Sequence, residues 1–121
     1  MLFIDVDSTL ILYPHEDTGD GRDWQINGRL LRAIKKYCLS QSWANERQMV
    51  VWSGGGRAYA ETWLERISFI SHVLLGAEPC AKIPSVASVL VRSDDLCIDD
   101  ALEFAAPCRV VTQEQFIKEW D

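Results

Sequence analysis

The chain predicts a doubly wound α/β fold, a mostly parallel five-stranded sheet with helices on both faces. Three observations lead there. Short apolar runs alternate with amphipathic stretches along the sequence. The runs lack the in-out alternation of a half-exposed sheet, which marks strands buried on both faces. Polar residues, several of them glycine or aspartate, end the runs where strand-to-loop turns are required. At 121 residues, one domain spanning 1–121 is expected.

Each element has its own justification. Met1 to Val6 is an apolar run and forms the first strand. Ile11 to Asp23 holds Pro14, Gly19 and Gly21 among acidic residues and reads as a polar loop. From Trp24 to Leu39, Ile26, Leu30, Ile34, Tyr37 and Cys38 recur at helical spacing, with Arg29, Arg32, Lys35 and Lys36 on the other face. Met49 to Trp52 is the second strand, closed by Ser53 and Gly54-Gly55-Gly56, after which Tyr59, Thr62, Trp63 and Ile67 line one side of a helix. His72 to Leu75 is taken as the third strand, ended by Gly76. Pro84 suits the first turn of a short helix despite the β-branched Val86, Val89 and Val91. Leu96 to Ile98 and Arg109 to Val111 complete the sheet, and Thr112 with Gln115 forms a capping box for a final helix carrying Phe116, Ile117 and Trp120.

Composition narrows the function classes. Hydrophobic residues make up 48% and charged residues 25%, the balance of a globular protein and not of a disordered or fibrous one. A net charge of -6 repels phosphate backbones and acidic membranes, which argues against bulk nucleic-acid binding and weakens even a nucleic-acid end as a substrate. No apolar run approaches the roughly twenty residues that cross a bilayer, and Asp5 and Asp7 interrupt any signal sequence, so no membrane association is expected. Four scattered cysteines with no CxxC pair read as buried thiols in a reducing, cytoplasmic setting. A monomer or a homodimer is expected.

In open parallel sheets, ligands bind at the carboxyl ends of the strands. There the sequence places Asp5-Val6-Asp7-Ser8-Thr9, Ser53 with its glycines, and Asp99-Asp100, while Lys82 lies between the third and fourth strands. Folded this way, four carboxylates crowd one edge. Two of them about 4 Å apart repel by roughly 4 kcal/mol at an effective dielectric of 20. A divalent cation removes that cost, and an all-oxygen donor set selects a hard ion, Mg²⁺, which keeps waters and shares a phosphate oxygen. With Lys82 as a second positive charge, such a cation would let an anionic nucleophile approach an anionic substrate.

The string Phe3-Ile4-Asp5-Val6-Asp7-Ser8-Thr9-Leu10 resembles the first signature of the haloacid dehalogenase superfamily of phosphotransferases, in the DxDST form of phosphoserine phosphatases. Ser53, Lys82 and Asp99-Asp100 are similar to its later motifs, in the right order. The resemblance implies a Rossmann-like core and an Mg²⁺-dependent phosphatase. Asp5 would be the nucleophile that forms an aspartyl-phosphate. Asp7 would protonate the leaving group and then activate water. Ser53, Lys82 and the N–H groups of Gly54 and Gly55 would hold the phosphoryl oxygens. Asp5, Asp99 and the backbone carbonyl of Asp7 would bind the metal, with Asp100 completing the shell directly or through water, and Thr9 would orient the loop. The segments Ile11 to Asp23 and Ala77 to Ala81 are too short for the cap domain such proteins often carry, which implies an open site for large or terminal phosphates, or one closed by a second subunit.

Competing readings attach to the same residues. A receiver domain of two-component signalling shares the acidic pair, phosphorylated aspartate, hydroxyl and lysine, but would place its acidic pair first and its lysine at the last strand. A catalytically idle relative that binds Mg²⁺ or a partner is the other alternative. Asp94-Asp95 precedes its strand, which assigns it to a turn at the opposite edge. His15, Glu16 and Asp17 read as a wet loop, His72 as structural, and Arg29, Arg32 and Lys36 as a solvated helix face. Trp24 and Trp52 fall close enough to the expected mouth to touch a substrate.

Overall fold

The computed structural model describes residues 1–13, 24–41, 49–100 and 108–121. In chain order its elements are β1 (Leu2–Asp5), β2 (Ile11–Leu12), β3 (Gln25–Ile26), α1 (Gly28–Ser40), β4 (Met49–Ser53), α2 (Arg57–Ser68), β5 (Glu78–Ala81), α3 (Pro84–Leu90), β6 (Leu96–Ile98), β7 (Arg109–Val111) and α4 (Gln113–Trp120). Five strands form one sheet in the order β5-β4-β1-β6-β7, every pairing parallel. In chain order these strands stand third, second, first, fourth and fifth, the doubly wound arrangement, whose order reverses between β1 and β6. Strands β2 and β3 make a separate antiparallel pair beside it. Among the described residues no cap domain is present.

Alternation along β1 builds both layers. Leu2 and Ile4 go to the larger core, with Leu30 and Ile34 of α1, Trp63 and Ile67 of α2, and Phe116 of α4. Phe3 goes to the smaller core with Val50, Trp52, Cys97 and Ala87 of α3. Helices therefore cover both faces, which explains why the strands read as continuous apolar runs. Pro84 opens α3, and Thr112 and Gln115 close the reciprocal capping box of α4.

Three elements differ from the sequence reading. The third strand is Glu78–Ala81, not His72 to Leu75, which forms a turn. Glu78 and Pro79 hide its strand character, but β5 is an edge strand paired only with β4, where proline is tolerated. The apolar run before it serves as a plug instead: Leu74 is buried while Leu75 is 58% exposed, and Gly76 turns the chain at φ 89°. The first helix begins at Gly28, not Trp24, because Gln25–Ile26 pairs with Ile11–Leu12 and the Asn27 side chain caps the helix by accepting from Leu30 N–H. The polar loop accordingly starts later than expected, since Ile11 and Leu12 are strand. His15, Glu16 and Asp17 lie outside the described residues.

Candidate active site

Parallel register brings the strand ends into line. Asp5 is the last residue of β1 and pairs with Trp52, so Ser53 follows one step on in β4. Ser53 pairs with Ala81, and Lys82 N–H then donates to the Ser53 carbonyl at 2.8 Å, extending the ladder by one bond. Ile4 pairs with Ile98, so Asp99 emerges beside Asp5, where its N–H donates to the Val111 carbonyl at 3.0 Å. Four segments distant in sequence thus present Asp5, Ser53, Lys82 and Asp99 at one edge of the sheet.

The Lys82 Nζ donates to Asp5 Oδ1 at 2.8 Å and to Asp99 Oδ2 at 3.0 Å. Asp5 is 4% exposed and Asp99 fully buried, so one ammonium serves two desolvated carboxylates. Burial, helped by the Asp99 charge, pushes the Asp5 carboxyl up to about 7 against the opposing pull of Lys82. Burial works against the Lys82 charge as well, but hydrogen bonds and charge from Asp5 and Asp99 hold its ammonium above the ordinary value. The lysine is thus a fixed cation shared by two buried carboxylates.

A third carboxylate stands close to this pair. One carboxylate oxygen each from Asp5, Asp99 and the exposed Asp100 lie within 4.8 Å of one another. Ligands on opposite sides of one Mg²⁺ stand about 4.2 Å apart, comparable with this spacing, which makes the trio a candidate for sharing one ion. Its donors are all hard oxygens, as Mg²⁺ requires. The Asp7 carboxylate does not join this group: its Oδ1 accepts from Tyr13 Oη at 2.6 Å and Tyr59 Oη at 2.7 Å. Burial and the neighbouring Asp7 push the Tyr13 phenol up, so it stays a proton donor.

The turn after β1 holds these groups apart by local bonds. Ser8 sits at φ 59°, a left-handed conformation that costs a non-glycine residue roughly 1 kcal/mol. Thr9 Oγ1 donates to Asp5 Oδ2 at 3.4 Å, and Thr9 O accepts from Asn27 Nδ2 at 3.0 Å, so Thr9 steadies the turn from inside. Asn27 also donates to Gln113 Oε1 at 2.8 Å, fastening the turn to α1 and α4 at once.

After β4, Gly55 N–H donates to Ser53 Oγ at 3.0 Å. Gly56 has φ 105°, which favours glycine, whereas a Cβ on Gly55 would come 3.2 Å from the Tyr59 ring, a close approach that the ring would have to yield to by a few tenths of an ångström. Gly54 is exposed with open space around it.

Sequence reasoning missed Tyr13, Tyr59 and Asn27. The two tyrosines read as helix-face or loop aromatics, and no periodicity reveals that both reach one aspartate. Asn27 followed by Gly28 is a recognisable cap signal, masked by the apolar periodicity around it. Trp52, expected near the mouth, is fully buried against Phe3 with ring centroids 4.7 Å apart, and so cannot touch a substrate. Trp24 is 39% exposed and packs edge-on to Trp63 with Arg66 over both rings. Arg29, Arg32 and Lys36 are not merely solvated: all three reach the Asp121 carboxylate, Arg32 at 2.6 Å. Cys97 is buried and its thiol is pushed up by burial and by Asp99, which suits an inert core residue.

Comparison with protein-family models, curated proteins and solved structures returns no match to this chain.

Proposed function

We propose that this chain is an Mg²⁺-dependent phosphomonoester hydrolase that works through an aspartyl-phosphate on Asp5. One observation carries the proposal: at a strand-end edge the buried Asp5 and Asp99 share the ammonium of Lys82, and Asp100 brings a third carboxylate close to them. Carboxylates held this close repel one another, and a divalent cation relieves that cost while keeping room to share a phosphoryl oxygen. The strand order supports this over a receiver domain, whose sheet runs second, first, third, fourth, fifth.

Asp5, Asp99 and Asp100 would hold the Mg²⁺, with the backbone carbonyl of Asp7 as a further candidate ligand. When bound, the ion supplies positive charge against the phosphoryl oxygens and lowers repulsion toward an anionic nucleophile. An Asp5 oxygen attacks phosphorus, forming the acyl phosphate as the bond to the leaving oxygen breaks. Asp7 gives that oxygen a proton. Water then attacks phosphorus and returns a proton to Asp7, and the bond to Asp5 breaks to release inorganic phosphate. Lys82 carries its charge to the transferring oxygens, and the Ser53 hydroxyl with the Gly54 N–H receives them, while the Gly55 N–H, expected to join them, is instead committed to Ser53 Oγ and holds it in place.

The absence of a cap among the described residues suits large or terminal phosphates: a phosphoprotein, a sugar phosphate or a nucleic-acid end, the last disfavoured by the net charge of -6. No described helix is long and apolar enough to cross a membrane. Four free cysteines fit the cytoplasmic setting included in this proposal. Turnover of p-nitrophenyl phosphate with and without Mg²⁺ tests the reading. It predicts metal-dependent release of phosphate that an Asp5→Asn protein lacks; a catalytically idle binding module gives equal, background rates for both.

A further inference from the structure

We propose that Tyr13 and Tyr59 are positioning residues for Asp7, fixing which of its two oxygens exchanges a proton with the leaving group. This inference rests on the hydrolase reading above and adds to it a device made by two residues outside the motif.

Asp7 lies beyond the end of β1, where an isolated bridge to Ile11 holds its backbone and the next residue is in the left-handed region, and side-chain donors fix its carboxylate. Two phenols do so instead. Tyr13 comes from just past β2 and Tyr59 from the first turn of α2, and both donate to the same oxygen, Oδ1, at 2.6 and 2.7 Å. A carboxylate oxygen has two lone-pair directions, and two donors occupy both. A proton on Asp7 must then reside on Oδ2.

Both phenols are themselves held. Tyr59 lies against the Cα of Gly55, where an added Cβ would come within 3.2 Å of its ring, and its ring is edge-on to Trp63 with centroids 6.5 Å apart. Tyr13 packs against the main core. The clamp thus connects the β2–β3 pair and the glycine turn to one acid, and Oδ2 is left as the transferring atom. In the forward step the Oδ2 proton moves to the leaving oxygen as its bond to phosphorus breaks. In the second step Oδ2 takes the proton of the attacking water as the phosphorus–Asp5 bond breaks.

Leaving-group dependence separates this role from a structural one, because p-nitrophenolate departs without a proton whereas ethoxide needs one. The measurement is kcat/KM for p-nitrophenyl phosphate and for ethyl phosphate, each with Mg²⁺, in the Tyr13→Phe, Tyr59→Phe and doubly substituted proteins, with and without Asp7→Asn. Loss of the clamp is expected to lower ethyl phosphate hydrolysis about 10- to 100-fold and to keep p-nitrophenyl phosphate hydrolysis within about threefold, the latter also reporting correct folding. On the Asp7→Asn background the tyrosine substitutions should change neither substrate further. Equal losses on both substrates, or losses that persist without Asp7, overturn the positioning role and leave the hydrolase reading standing. If the unsubstituted protein hydrolyses neither ester, the hydrolase reading fails and the inference with it.

Discussion

The two ends of the sheet carry acidic pairs of similar sequence and opposite character. At the amino end, Asp95 is 7% exposed, and its oxygens accept from the Met1 amine at 2.6 Å and from Arg92 N–H at 2.8 Å, one donor for each oxygen, while Asp94 is exposed. Nearby stands an apolar hollow of about 300 Å³ bordered by Met1, Met49, Val50 and Leu90. At the carboxyl end, Asp5 and Asp99 share one ammonium, and Asp100 adds a third carboxylate. The difference shows that acidity alone does not make a site. One buried carboxylate at the amino end has an amine to itself, whereas two at the carboxyl end share one ammonium with a third carboxylate close by, the arrangement that we propose a cation completes.

The comparison breaks most visibly at Asp5. Asp5→Asn should lower phosphate ester turnover by at least about 10³-fold, since the amide cannot serve as nucleophile, whereas Asp95→Asn should leave the rate within about twofold. Steady-state assays on the two purified variants decide it. A comparable loss in both would erase the distinction between the ends.

Lys82→Met ranks next. Removing the shared ammonium leaves two buried carboxylates facing each other, and the metal-free protein should lose roughly 2–4 kcal/mol in urea unfolding, less than a fully dry pair because the lysine side chain is 14% exposed. Turnover should fall about 10²-fold or more with it. Added Mg²⁺ should recover part of the lost stability, as the ion replaces the missing positive charge.

A smaller effect should appear with pH. The Asp5 carboxyl is raised in the fold from 3.8 to about 7, so the folded chain binds this proton more tightly than the unfolded chain. Its contribution to stability is therefore fully present below pH 3.8 and is lost as pH rises through about 7. Thermal melts of metal-free protein should show this component declining from 3.8 to about 7 on the pH scale and levelling off above it, and an Asp5→Asn protein should lack it. Mg²⁺ should stabilise most at the alkaline end, where the carboxylate is ionised and ready to bind. A metal effect that is larger at pH 5 than at pH 8 would count against the cation site.

The smallest expected effect sharpens the structural end. Asp95→Asn keeps an acceptor for one of its two bonds but removes the ion pair with the Met1 amine, so about 1 kcal/mol of stability should go. Urea unfolding of this variant should show a penalty that shrinks as salt is added, with no dependence on Mg²⁺.

Much of the carboxyl end was legible because strands deliver residues to an edge by position alone. Asp5, Ser53 and Asp99 each stand at or just beyond the end of an apolar run, and the register turns those positions into neighbours. Lys82 was placed correctly for an incomplete reason. It was expected in a loop after a strand at His72 to Leu75, yet it follows β5, whose Glu78 and Pro79 look unlike a strand until the edge position is known. Tyr59 was recognised as a helix residue but not as a donor to Asp7, fifty-two positions away, because helical spacing assigns a face and not a long-range partner. Asn27 was obscured by Ile26 and Leu30, whose spacing extends the apparent helix through the cap.

The most direct test of the central claim is to quench the protein after mixing with Mg²⁺ and an aryl phosphate, reduce it with borohydride, and map the peptides by mass. An acyl phosphate on Asp5 is reduced to homoserine, and conversion at position 5 that requires both metal and substrate is the predicted result. Phosphate release with Asp5 unmodified, or with the label at Asp7 or Asp99, would contradict it.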